Sequence, residues 1–369
     1  MDISYGAEAT AKRLFASTAD YQTIRGPVGS GKSVMCCMKL LRLAVAQEAD
    51  RNGIRKSKWG VVRNSYPELK STTIKTFQEW IPDSLCPIKY DSPITGKMAF
   101  PLADGTRVET EFVFLSLDTP LDVGKCMSLE FTGVWVNEFQ FLPKELIDEL
   151  FSRTGRYPSM KDGAEATWNG LIMDTNSPDT SHWFNKIEQE VKPDDWDCII
   201  QPGALVEIGK LKKTSYTPWI KHCLSKPLLH KQINDRLYIA NETAENIKNI
   251  KGGHQYWFKQ IDATKDPGWI QSRICNEYAM VKSGKPIYEQ QFNQQLHISL
   301  DKFLPNKKVQ LVLGFDFGLT PACAIGQLMP NGQLRILEEI IGEGIGMKQF
   351  IQDVLMPKLR TTYRNFRLK

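Results

Sequence analysis

The chain has 369 residues, 41% apolar and 24% charged, with a net charge of +5. That is room for two or three domains with real cores, and the charge permits local nucleic-acid patches without arguing for them. No apolar run approaches the ~20 residues that cross a bilayer and no signal peptide opens the chain, while eight cysteines without C-x-x-C pairs read as reduced thiols rather than disulfides or a zinc site.

In chain order, residues 6–17 read as an amphipathic helix and 21–24 as a short strand. Gly26-Pro27-Val28-Gly29-Ser30-Gly31-Lys32-Ser33 follows, and then an apolar helix over 34–46. Arg51 to Lys58 reads as a basic surface loop, 59–63 as a second strand, and 71–80 as a helix bracketed by Pro67 and Pro82. Strands are expected at 108–117, 133–136 and 171–173, with a helix over 143–151 between the last two. Strands alternating with helices from about residue 20 to 205 imply an α/β fold, a parallel sheet with helices on both faces. From Lys210 to about Asp301 the composition turns polar and aromatic, as in a lid or linker subdomain. A new block then begins, with strands at 309–316, 322–327 and 333–341, an Asn331-Gly332 hairpin turn, and a helix over 346–359. The expected boundaries are 1–209, 210–304 and 305–369.

The run from Gly26 to Ser33 fits the phosphate-loop pattern G-x-x-x-x-G-K-[ST] at every fixed position. Its glycines let successive N–H groups face one phosphate, Lys32 reaches the β- and γ-phosphates, and Ser33 holds Mg²⁺. Such a loop needs an acidic element on a neighbouring strand. Phe131 to Glu138 supplies it about 100 residues downstream. Here the metal-orienting position is Asn137, a neutral oxygen donor, and Glu138 is the expected general base. Asp174-Thr175-Asn176 ends a further strand, where Asn176 could sense the γ-phosphate or simply form an Asx turn. Cations that could stabilise the transferred phosphoryl group are Arg25, placed best in cis, with Lys125, Arg153 and Arg156 as further candidates. In the last block, Asp316 ends a first strand as a metal-binding acid does in RNase H-like nucleases. Glu338 and Glu339 lie on the third strand.

The ordered segments RGPVGSGKS, VVRNSYPELKSTT, SLEFTGVWVNEFQ, LIMDTNSP, NETAENIKNIKGGHQYW, GKPIYEQQF and LGFDFGLTP span nearly the whole chain. In this order it resembles the large terminase subunit of tailed bacteriophages. The resemblance implies a P-loop NTPase domain, a lid or linker, and a C-terminal RNase H-like nuclease. It implies ATP with Mg²⁺ at Lys32 and Ser33, hydrolysis through Glu138, coupling through Asn176, and Mg²⁺ or Mn²⁺ at Asp316. Implied partners are double-stranded DNA, a small terminase subunit and the portal ring of a procapsid, with ring assembly in the host cytoplasm. The nuclease pattern continues to a fourth strand, so the block from 305 reads as an incomplete nuclease domain. Rival readings are another P-loop nucleic-acid motor such as a helicase, or a defective prophage product that only binds partners.

Overall fold

The computed structural model describes residues 5–117, 124, 129–209, 216–279, 294–299, 301–318 and 320–368. Contacts divide the chain into two compact units, residues 1–283 and 284–369.

The first unit is built on an eight-stranded sheet: β1 (Tyr21–Arg25), β2 (Ile54–Arg63), β3 (Ile88–Lys89), β4 (Ile94–Pro101), β5 (Arg107–Ser116), β6 (Gly133–Asn137), β7 (Gly170–Thr175) and β8 (Trp196–Ile200). Its spatial order is β3-β4-β5-β2-β6-β7-β1-β8. The six strands from β5 to β8 run parallel, and β3 and β4 extend the edge as antiparallel strands. The expected α/β class therefore holds.

Side-chain alternation along these strands divides the core in two. Ile24, Trp135 and Ile172 pack with α1 (Ala9–Ala16), α2 (Lys32–Ala46) and the helical run over residues 66–80. Tyr21, Val134, Val136, Leu171 and Met173 pack on the opposite face, against the helices Lys144–Ser152 and 183–191. Buried on both faces, the central strands read as continuously apolar, which is why they were legible in the sequence.

Two expectations change. Residues 54–58 form the start of β2 rather than a basic loop. Their lysines are neutralised locally, Lys56 by Asp50 at 3.2 Å and Lys58 by Glu111 at 3.5 Å, so they offer no free basic patch. The polar segment after residue 204 carries real strands. β9 (Leu205–Glu207), β10 (His230–Ile233) and β11 (Arg236–Ala240) form an antiparallel sheet in the order β10-β11-β9. This sheet and the helices Gln255–Thr264 and Pro267–Arg273 enclose a separate core of Tyr238, Trp257, Phe258, Ile261 and Ile270. Short strands rich in Lys, Gln and Arg hide from hydrophobic periodicity, because only one face is buried.

The second unit has three antiparallel strands, β12 (Val312–Asp316), β13 (Ala322–Leu328) and β14 (Leu334–Ile341). The helical run over 347–362 packs on them through Phe350, Leu355 and Leu359. No described helix is long and apolar enough to cross a membrane. The seven described cysteines are free.

Candidate nucleotide site

The loop between β1 and α2 owes its shape to two glycines and to a ring of donors around it. Gly29 and Gly31 take φ of +74° and +83°, a left-handed backbone that side chains disfavour. Every carbonyl from Gly26 to Ser30 is held by a protein group. Asn176 Nδ2 donates to Gly26 O at 2.7 Å, and Lys32 Nζ and Ser30 Oγ donate to Pro27 O at 2.8 and 2.7 Å. Trp257 Nε1 donates to Val28 O at 2.7 Å, Asn246 Nδ2 to Gly29 O at 2.8 Å and Gln201 Nε2 to Ser30 O at 3.1 Å. With its acceptors occupied, the loop is left with N–H groups as its free polarity, joined by the unsatisfied amides that open α2. That is an anion site, and it opens on a hollow of about 310 Å³ lined by Val28 to Val34, Thr76, Glu138, Asn176 and Asn246.

Lys32 is buried, and burial lowers its pKa while Glu138 and Asp174 pull it back up. Glu138 follows β6 in a left-handed conformation, φ 52° and ψ 53°. A carboxylate residue holds that conformation only where its surroundings impose it, and such strain gathers at functional positions. Its Oε2 accepts from Gln140 Nε2 at 2.9 Å, leaving Oε1 for another partner.

Register explains which acids meet. Asn137 and Asp174 are partners on neighbouring parallel strands, two residues beyond the partners Trp135 and Ile172. Both therefore point to the α2 face, and there they meet Ser33. Ser33 Oγ donates to Asp174 Oδ2 at 2.9 Å, and Asn137 Nδ2 donates to Ser33 Oγ at 3.0 Å and to both Asp174 oxygens at 3.1 and 3.0 Å. Trp135 Nε1 adds a bond to Asp174 Oδ1 at 2.7 Å. Burial raises the Asp174 pKa and Glu138 adds to the rise, while Trp135, Lys32 and Asn137 act against it.

The assignment of Asn137 as an oxygen ligand is corrected. Its Oδ1 accepts from Arg63 Nη1 at 2.9 Å and Thr73 Oγ1 at 2.7 Å. Guanidinium can only donate, so the amide has one satisfiable orientation, and its nitrogen faces the site. An amide nitrogen with two protons ligates no metal. The oxygen that would fit Mg²⁺ is the Ser33 hydroxyl, held by the Asp174 carboxylate beside it; the phosphates and water would supply the remaining hard oxygens.

Arg25 is also corrected. Because Ile24 faces α2, Arg25 faces the other side of the sheet, away from the loop's hollow. There its Nη2 meets Glu188 Oε2 at 2.8 Å, its Nη1 meets Ser177 Oγ at 2.8 Å, and the guanidinium lies 4.5 Å from the centre of the Tyr278 ring. Arg25 and Glu188 are a buried structural pair. Glu188→Gln should cost about 3–5 kcal/mol in urea unfolding, whereas Arg25→Met with Glu188→Leu should recover most of that and retain nucleotide binding. Loss of binding in the folded double variant would return Arg25 to the nucleotide.

Of the other cations, Lys125 lies outside the described residues. Arg153 pairs with Glu149 and Arg156 donates to Ser152 O, both on the helix Lys144–Ser152 and its exit. Among the described residues, a cation that sequence reasoning missed, Arg273, lies beside the loop. Its Nη1 donates to Asn176 Oδ1 at 3.2 Å, and its own carbonyl accepts from Val28 N at 2.8 Å. Burial lowers its pKa and the Glu138 charge raises it. Asn176 thus bridges Gly26 O and Arg273.

In the second unit Asp316 is exposed at the end of β12 and accepts from Gly318 N at 3.0 Å. Glu339 shares its face of the sheet, whereas Glu338 turns to the helix side, where Lys358 lies at 2.6 Å and Tyr363 donates at 3.1 Å. Lys358 lowers the Glu338 pKa. Among the described residues no group of three or more His, Cys, Asp or Glu side chains could hold a metal ion.

No family model and no curated protein matches the chain. Among solved structures it is similar to the large terminase from a thermophilic bacteriophage, at 11% identity over 97% of this chain and 75% of that one, with a TM-score of 0.46. That thermophilic phage protein has also been solved in complex with ADP and with ATP-gamma-S. The HK97 bacteriophage large terminase aligns at 11% identity over 99% of this chain and 70% of that one, also with a TM-score of 0.46. The ATPase domain of the Thermus phage P74-26 large terminase aligns at 14% over 55% of this chain and 83% of that one, with a TM-score of 0.37. By structure, the chain is similar to bacteriophage large terminases over nearly its whole length.

Proposed function

We propose that this chain is the ATPase of a viral DNA-packaging motor, hydrolysing ATP at the β1–α2 loop to drive double-stranded DNA. The observation that carries the reading is the loop itself, its carbonyls from Gly26 to Ser30 all hydrogen-bonded, with Lys32 and Glu138 on the same hollow. The phosphates sit on the loop amides and Lys32, at the positive end of α2. Mg²⁺ bound with the nucleotide would neutralise phosphate charge beside Ser33. Water attacks the γ-phosphorus, its proton passes to Glu138 Oε1, and ADP is the leaving group. Arg273, held by Asn176 beside the loop, is the cation that would answer the charge that develops.

The ordered resemblance of seven sequence segments to large terminases supports the finer reading. Coupling to DNA then runs through the segment 241–273, which grips the loop at three points, Asn246 on Gly29, Trp257 on Val28 and Arg273 on Val28. An ATPase assay with and without double-stranded DNA tests this. DNA should stimulate turnover, and DNA affinity should fall steeply with salt and ignore sequence. Turnover indifferent to DNA would sink the motor reading and leave a nucleotide hydrolase.

Arg273→Ala should lower turnover about 100-fold, as removal of one preorganised donor does, with ATP affinity nearly unchanged. Steady-state hydrolysis beside equilibrium binding of a fluorescent ATP analogue separates the two. A wild-type rate would leave Arg273 only the task of orienting Asn176.

A further inference from the structure

Asn137 stands where the strand after a phosphate loop ordinarily ends in an acid, yet the site does not lack a carboxylate. We propose that the acid has moved one strand over, so that Asp174 on β7 positions the Ser33 hydroxyl for the nucleotide's metal ion and Asn137 on β6 serves as its hydrogen-bond donor. This rests on the loop being a nucleotide site.

The hydrogen-bond inventory allows little else. A serine hydroxyl has one proton and two lone pairs. The Ser33 proton goes to Asp174 Oδ2 and one lone pair takes the Asn137 amide, which leaves a single lone pair for a metal. Asp174 is fully buried and accepts from Ser33, Asn137 and Trp135, with the Cys36 thiol bonded to it as well, so it acts as an acceptor throughout. Asn137 cannot take over that task, since Arg63 and Thr73 hold its only oxygen. The pair is one amide plus one carboxylate in register, and a second carboxylate at 137 would face Asp174 across a hydrogen-bond distance, where both cannot easily be charged.

The pair should therefore be exchangeable. With aspartate at 137 and asparagine at 174, one carboxylate oxygen still meets Arg63 and Thr73. The other accepts from Ser33 and from the amide at 174, whose own oxygen takes Trp135. The second proton of that amide goes to Ser33 Oγ, as the Asn137 amide's does in the wild type, so each of these donors keeps an acceptor.

The test compares binding of a fluorescent ATP analogue in Mg²⁺ and in EDTA, on the full chain, for wild type, Asp174→Asn and the swap Asn137→Asp with Asp174→Asn. Folding of each is checked by thermal melt. Wild type should bind more tightly with Mg²⁺. Asp174→Asn should lose about tenfold or more in Mg²⁺ with little change in EDTA, the scale of one charge-assisted contact. The swap should recover most of the Mg²⁺ gain, which loss of packing alone would not restore. If Asp174→Asn does not fold, the swap decides. A folded swap without the Mg²⁺ gain overturns the proposal, as does an Asp174→Asn protein with the wild-type gain. Wild type that binds the analogue in neither condition overturns the nucleotide reading together with this one, whereas normal wild-type binding beside an indifferent Asp174→Asn overturns this one alone.

Discussion

Glu138→Gln should bind ATP as the wild type does and hydrolyse it roughly 1000-fold more slowly, within the range that a positioned general base supplies. The substitution keeps shape and the contact with Gln140, but its amide cannot accept a proton from water. The left-handed turn sets the direction in which the Glu138 side chain leaves the backbone, and glutamine keeps its length and shape. The isosteric change should therefore leave its position intact. Removing the charge also takes away one of the influences that raise the Lys32 and Asp174 pKa values. ATP affinity is thus expected to hold or rise, since a negative charge near the γ-phosphate has gone. Single-turnover hydrolysis beside equilibrium binding checks both halves. Wild-type turnover would remove Glu138 from the chemistry, and a loss of affinity without a loss of rate would make it a binding residue.

How much of this was legible in the sequence follows from where each interaction lies along the chain. The loop is local: its glycines, Lys32 and Ser33 occupy one eight-residue run, and fixed spacing reveals them. Glu138 was legible because a buried strand ending in an acid leaves a pattern of its own. Arg25 was misplaced although the sequence held the correction. Tyr21 and Ile24 lie on opposite faces, so alternation alone puts Arg25 away from α2. The pairing of Asn137 with Asp174 was not legible, because it depends on strand order and register rather than on spacing. VVRNSYPELKSTT stood out as a motif, but its task, fixing the Asn137 amide through Arg63 and Thr73, emerges only once the strands are side by side. Arg273 gave no local signal beyond a charge among the apolar residues Ile270, Ile274 and Cys275. Its significance comes entirely from the packing of a distant segment on the loop.

Lys32→Ala should fail where Glu138→Gln succeeds, losing ATP affinity by about 10- to 100-fold, the worth of a hydrogen-bonded charge against phosphate. In the structure the ammonium rests on Pro27 O, a neutral acceptor, in a buried position that disfavours its charge. A phosphate oxygen is the stronger partner, so the lysine is held in a poor interaction that nucleotide binding exchanges for a better one. Lys32→Arg should not rescue it. A planar guanidinium needs a geometry that the compact, buried ammonium does not. Turnover should be lost in both variants. The loop itself should survive, because Asn176, Trp257, Asn246 and Gln201 hold its carbonyls independently of Lys32. Calorimetric titration with ATP and a thermal melt decide the matter. A folded Lys32→Ala protein with wild-type ATP affinity would mean that the loop's amides bind the phosphates unaided, and that the lysine acts only in the transition state.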